Sequence, residues 1–289
     1  MQDLLVAFLR SGTPLVYVTL AGVIAQRAGI WHLGLEGLMI VGACATILGI
    51  TLTGSLALAL VIAVLICAVM AVLLWLVVEI LKANQIIAGL GLTGLGLGGT
   101  SLTLTALFGS EGAVSAPFGL PTIGPAFGAF SSLSILVAAL PLVIFGLWLL
   151  LCRTRFGLRL KACGEHPFAA QAAGVNPATM RLIALLAGAP LCALAGAELA
   201  AGSLDVFSVN MTAGRGFMGF AAAIFGNGHP IGAALAAFFF AFAGAIGIRA
   251  QLIYGDQVPS SLLLSLPYVA TIAGLWLGSK IWKKEGSGT

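Results

Sequence analysis

The groups in this sequence that could exchange protons, hold a metal or attack a carbon are few and badly spaced for those tasks. His32, His166 and His229 are the three histidines, far apart and without the H-E-x-x-H spacing that sets two imidazoles on one helix face. No G-x-S-x-G nucleophile turn occurs. Cys44, Cys67, Cys152, Cys163 and Cys192 are odd in number and fit neither a disulfide framework nor a zinc site, so no metal is expected. "GLGLTG" (Gly89, Gly91, Gly94) satisfies G-x-G-x-x-G, but it lies in an apolar run with no βαβ unit around it. Close helix–helix approach through small residues, including Gly94-x-x-x-Gly98, is the expectation there. The chain has no Gly-Lys dipeptide and therefore no Walker A loop. If ATP drives this protein, another subunit binds it. Nothing here assembles a catalytic centre.

Two charged residues remain as candidates. Glu36, in "HLGLEGLMIVGA", stands near the start of an apolar run. It is either an intramembrane functional acid or a first-turn carboxylate meeting the positive end of a helix. Arg215, in "TAGRGFMGF", flanks a helix start, where a cation opposes the dipole and needs a partner or water. Glu198 and Asp205 are its nearest acids in sequence, and a structural ion pair is expected over contact with a transported solute. A proton relay normally buries several acids or histidines, and only Glu36 lies well inside an apolar run.

The elements that must position these residues are set by lipid. Hydrophobic residues make up 60% of the 289 positions and charged residues only 8%, against about 25% charged in soluble domains. Mean hydropathy is +1.13. The fold class expected is an all-α polytopic membrane protein, one transmembrane domain over residues 1–289 with about eight transmembrane helices. Apolar runs fall at 12–26, 33–50, 56–80, 85–107, 131–152, 181–201, 214–226 with 230–249, and 259–279. A full crossing needs about 20 residues. The runs at 12–26 and 214–226 are short and end in the Gly-rich breaks "QRAGIWHLG" and "FGNGHPIG". Short interrupted segments in both halves suggest a pseudo-symmetric two-half arrangement around a translocation path. The N-terminus lacks a basic leader region and a small-residue cleavage site and is read as retained.

Orientation follows the cations. Arg153, Arg155, Arg159, Lys161 and Arg181, with Lys280, Lys283 and Lys284, are most of the 13 Lys and Arg. The positive-inside rule puts both clusters, and hence the C-terminus, in the cytoplasm; nucleic acid is not expected as a partner. Loops 108–130 and 202–213 are then external. The side of the N-terminus depends on whether 12–26 truly spans.

Between two spans lies "CRTRFGLRLKACGEHPFAAQAAGVNPATMR", residues 152–181. Its second half reads as a short helix. Pro167 suits a first turn, "FAAQAAG" favours helix, and Gly174 stops it with Pro177 close behind.

Three of these landmarks together resemble one family. "AGIWHLGLEGLMIVGA" resembles the N-terminal signature of permease subunits of ATP-binding-cassette importers, in the branch with ribose, galactose and purine-nucleoside systems. "TRFGLRLKACGEHPFAAQAAGVN" resembles that family's cytoplasmic loop, and "GRGFMGFAAAIFGNGHPIGA" its third landmark. The L-E-G form and the length are more similar to the nucleoside-type branch, whose binding proteins are basic membrane lipoproteins. His32, His166 and His229 stand where the family usually has Asn, and Gly228 where it has Trp.

The resemblance implies a multi-pass subunit of a bacterial inner-membrane importer that does no covalent chemistry and is not an enzyme. It implies that loop 153–180 couples the chain to an ATPase subunit carrying ATP and Mg²⁺. Gly164, Glu165, Pro167, Phe168, Ala169, Ala170, Gln171, Gly174, Val175 and Asn176 are the implied coupling residues, with Phe168 and Val175 as apolar anchors and Glu165, Gln171 and Asn176 as polar contacts. His32, Gly34, Glu36, Gly37, Arg215, Phe217 and His229 are the candidates for the path and its broken helices. A second permease subunit, identical or paralogous, an extracytoplasmic binding protein and membrane lipid complete the implied partners. The implied solute is a nucleoside, with a simple sugar or flavin-like solute as alternative. An ion-coupled carrier is the contrasting class.

Overall fold

The computed structural model describes residues 2–109, 112–124, 131–202 and 204–254. The expected span at 259–279, the C-terminal lysines and the side of the C-terminus lie outside the described residues.

Among the described residues, ten helices run in the order α1 Gln2–Arg27, α2 Leu35–Thr53, α3 Leu56–Trp75, α4 Gln85–Phe108, α5 Ile135–Arg153, α6 Arg155–Glu165, α7 Pro167–Ala172, α8 Pro177–Ala197, α9 Arg215–Phe225 and α10 Pro230–Tyr254. π-Helical turns extend α3 (Leu76–Ile80) and α8 (Glu198–Gly202). Among the described residues, α1, α2, α3, α4, α5, α8 and α10 are long and apolar enough to cross a membrane, while α9 is shorter. The helix starts are local chemistry. Asn84, Ser134, Thr154 and Asn176 each accept hydrogen bonds from the first free N–H groups of α4, α5, α6 and α8.

α1 supplies the reference direction. At one end Arg27 donates from Nε to the Gly228 carbonyl (2.6 Å) and from Nη1 to the Leu151 carbonyl (2.7 Å), beside the basic loop. At the other end Arg10 donates to the Ser132 carbonyl, and the Tyr17 hydroxyl to Leu136, at the start of α5. α1 therefore points its C-terminal end at the basic loop and its N-terminal end at the opposite face. The same face carries the antiparallel pair β1 (Ala113–Ser115) and β2 (Val206–Ser208), so both loops expected outside do meet there.

The core is built on small residues at closest approach, since in lipid the helices gain from van der Waals contact more than from hiding apolar surface. α2 is the most enclosed of the spans. A Cβ on Gly37 would stand 2.7 Å from the Leu92 carbonyl oxygen, and one on Gly96 2.8 Å from the Gly37 oxygen. Gly42 and Gly196 make the equivalent approach between α2 and α8. The glycines that seat α4 are therefore Gly89 and Gly96; among the described residues nothing packs against Gly91, Gly94 or Gly98, so the expected Gly94-x-x-x-Gly98 contact is not made there. Seven-residue spacing returns a helix to the same face after two turns, whereas Gly94 and Gly98 lie on the opposite side.

Gly96→Ala is expected to destabilise the protein by about 1–3 kcal/mol through overpacking. Gly98→Ala should leave it unchanged or slightly firmer. Thermal midpoints of the two variants in detergent check the contrast.

Candidate functional site

The first candidate locus is a broken helix half-way through the membrane. α9 has 11 residues, about 16 Å of helix, against a hydrocarbon layer of about 30 Å. Its C-terminal end reaches the face that carries the basic segment, where Gly228 meets Arg27. Gly219 packs on Val18 and Thr19, near the middle of α1. The N-terminus of α9 therefore lies close to mid-membrane. Segment 214–226 does not cross as one helix; the crossing is completed by the irregular stretch before it. Asp205, Asn210, Ala213 and Gly214 there all have positive φ (52, 62, 46 and 81°).

Glu36 closes this break. Only 2% exposed, it sits in the first turn of α2, and its carboxylate accepts from Gly214 N (2.9 Å) and Gly216 N (2.5 Å). One acid thus faces the positive ends of two helices at once. Gly216 is required: a Cβ there would overlap the Glu36 backbone. Glu36 is the first-turn acid of the second reading, but the N–H groups it meets belong to a different helix. Arg215 donates to the carbonyls of Met211 and Thr212, fastening the turn before its own helix. Glu198, proposed from the sequence as its neighbour, lies fully buried in the π turn and accepts from the Ser134 hydroxyl.

The first break in chain order, residues 28–34, doubles the chain back between α1 and α2. Leu35 packs at the height of Gly22, so α2 starts inside the membrane. Gly34 lies against Leu92 and Gly89, where no side chain fits. His32 is 4% exposed, and among the described residues its Nδ1 has no hydrogen-bond partner. Burial pushes its imidazole down from 6.5 to about 4, so it is neutral at physiological pH and cannot sense changes there. The α1–break–α2 and α9–break–α10 pairs run side by side in the same sense: Gly22 meets Ala223, and Gly12 meets Ala241.

The other histidines stand apart from His32. His166 is an exposed residue at the start of α7, and His229 lines a cavity of about 430 Å³ with Gln26, Arg27, Lys161, Glu165 and Asn227. Among the described residues no cluster could hold a metal. Phe217 is 38% exposed on α9. Trp31, which the sequence did not single out, is 53% exposed with its ring edge against Phe220. A tryptophan inside a Gly-rich break was the signal for it.

The second locus is the segment 153–180. α7 forms from Pro167 as expected, and Gly174 takes the left-handed turn (φ 82°) that ends it. Phe168 is 87% exposed, and Ala169 and Gln171 are exposed beside it. Three implied contact residues already make contacts within the chain. Ala170 is buried, and Asn176 spends its Oδ1 on capping α8 through Ala178 N and Thr179 N. Gly164 is wedged against Arg27 and Gly29, so it joins the segment to the first break. Glu165 makes a loose, exposed pair with Lys161 at 3.6 Å, worth little in water. Val175 is half-buried, its N–H donating to Ala170. Further ties reach the same break: Arg181 donates to the Ala28 carbonyl and pairs with Glu79 at 2.6 Å, and Trp75 Nε1 donates to Ala178.

A bundle of apolar helices with interrupted helices meeting at mid-depth is the construction of a membrane transport protein. Residues 4–275 match the family described as branched-chain amino acid transport system / permease component, and the chain belongs to that family: it is the permease component of an ABC transporter. It is 33% identical to the guanosine ABC transporter permease protein NupQ of Bacillus subtilis, over 91% of this chain and 87% of that one. It is 32% identical to the nucleoside ABC transporter permease protein NupC of Lactococcus lactis, over 98% and 95%. The glucose ABC transporter permease protein TsgB13 of Haloferax volcanii is 26% identical over 86% and 70%. No solved structure matches the chain.

Replacing Glu36 by Ala strands two buried N–H groups and is expected to destabilise the fold by at least about 2 kcal/mol. Glu36→Gln, which keeps one acceptor oxygen, should fall between. Unfolding titrations in mixed micelles read the order. For His32, the unfolded chain takes up a proton below about pH 6.5, whereas the folded chain does so only near 4. Stability should therefore be insensitive to this group above pH 6.5 and decline as pH falls toward 4. Thermal midpoints measured stepwise over that window should fall less steeply for His32→Asn.

Proposed function

We propose that this chain is the permease of a nucleoside importer in a bacterial plasma membrane. An external binding protein delivers the solute, and a separate subunit hydrolyses ATP with Mg²⁺. The single observation that carries the mechanism is the tie between the cytoplasmic segment and the breaks. Gly164 against Arg27 and Gly29, and Arg181 on Ala28, leave no slack between the exposed face of α7 and the start of α2. Phe168, Ala169 and Gln171 form the face that an ATPase subunit would grip; Gly164, Ala170 and Asn176 shape that face from within. A rigid shift of α6 and α7 on ATP binding then pulls on the 28–34 break and on Gly228 through Arg27. The pathway residues are those around the two breaks: Gly34, Glu36, Gly37, Arg215, Phe217 and the neighbouring His32 and His229.

The nucleoside assignment rests on the two bacterial relatives, which match nearly end to end. A sugar is the second reading, because a glucose permease also aligns over most of the chain. The external loops joined by β1 and β2 are the proposed docking face for the binding protein. A second permease, identical or paralogous, completes the complex, and the C-terminus lies in the cytoplasm.

The test is uptake into proteoliposomes holding the complete complex. Nucleoside entry should need ATP and the binding protein, and should ignore imposed proton or sodium gradients. Uptake driven by an ion gradient without an ATPase would sink the proposal. Phe168→Asp should cut ATP-driven uptake roughly tenfold or more, as expected for an exposed interface anchor worth about 1.4 kcal/mol or more, with membrane insertion and thermal midpoint unchanged.

A further inference from the structure

We propose that Trp31, Phe220 and Phe217 form an aromatic ladder on which the base of the transported nucleoside stacks between mid-membrane and the cytoplasm. This rests on the nucleoside reading above and adds a binding site to it. Phe217 and Phe220 are three residues apart on α9 and so share one face. Trp31 extends that face from the first break, its ring centroid 6.1 Å from that of Phe220 with the planes at 63°. More than half of Trp31 and more than a third of Phe217 are open, and Phe220 is partly covered between them. The rungs descend in order. Phe217 follows the Glu36-capped turn at mid-membrane, and Trp31 lies at the cytoplasmic end, where its backbone N–H donates to Gln85 Oε1 at the first residue of α4.

The surroundings argue against lipid on this face. Ala213, four residues before Phe217, is exposed on backbone of positive φ near mid-membrane. Irregular backbone at that depth is tolerated only against water or protein. Exposed phenylalanines on α5 and α10, such as Phe145 and Phe239, flank regular helix and fit lipid as well as anything else. Trp31 and Phe217 flank the two places where the helices are broken. A purine or pyrimidine offers a flat π face to such rings whatever its identity, whereas its ribose hydroxyls suit the polar turn above. The arrangement accepts different bases and rejects solutes with no aromatic face.

The experiment uses the complete complex in proteoliposomes with saturating guanosine-loaded or uridine-loaded binding protein. Trp31→Leu and Phe217→Leu keep apolar bulk but remove the ring, and should slow uptake of both nucleosides roughly tenfold each. Trp31→Phe and Phe217→Tyr should stay close to wild type. Guanosine added to the purified complex should quench tryptophan emission, and that quench should vanish in Trp31→Phe. Leucine variants that transport like wild type would overturn the ladder. So would leucine variants that fall apart into single permeases on size-exclusion chromatography, since the rings would then be packing residues between subunits. A wild-type complex that moves glucose but neither nucleoside would overturn the nucleoside reading, and the ladder with it.

Discussion

A carboxylate shared by two helix starts in the middle of a bilayer is the constraint on which the architecture turns. Unpaired N–H groups cost several kcal/mol in hydrocarbon, so a helix that begins at mid-membrane must have its first donors satisfied by the protein. Glu36 does this for α9 from the first turn of α2. The attraction works both ways, because the acid itself is tolerable there only beside positive helix ends. Once that contact is made, the short α9 is fixed beside α1, and the loop between α8 and α9 must dip into the membrane to reach it. The interrupted crossing follows from one acid and one glycine.

A second set of contacts joins the basic segment to that centre. Arg27, Ala28 and Gly29 form a corner touched by four distant segments: Gly228 after α9, Leu151 in α5, Gly164 at the end of α6, and Arg181 in α8. Glycine at 29 and 164 lets two backbones meet where side chains would hold them apart. The Arg181–Glu79 pair, 20% and 10% exposed, is shielded enough to hold its geometry, unlike the exposed Lys161–Glu165 pair. Under the proposed mechanism, this corner is where force applied at α7 divides between the two breaks.

Much of this was legible in the residues. Composition and run length gave the membrane class and nearly every span. The order Pro167, alanine-rich turn, Gly174 gave α7 and its stop. The Gly-rich breaks marked where helices fail, because glycine and proline act on the backbone locally. The three landmark motifs gave the family. Direction was less accessible for α1, whose hydrophobic stretch carries no cation bias strong enough to orient it.

What sequence could not supply was the pairing of parts distant along the chain. It named Glu36 but not that its partners are the N–H groups of Gly214 and Gly216, some 180 residues away. It named ten residues of the basic segment without separating Phe168, which is presented, from Ala170 and Gly164, which pack against the chain, or from Asn176, whose Oδ1 caps α8. It offered Gly94 and Gly98 for a contact that Gly89 and Gly96 make, and passed over Trp31. The physical reason is common to all four. Residue type and spacing determine what a segment can do in lipid, helix or break, because those preferences act within a few residues. Which face meets which neighbour is decided by the packing of all the helices together, and only the tertiary structure contains that.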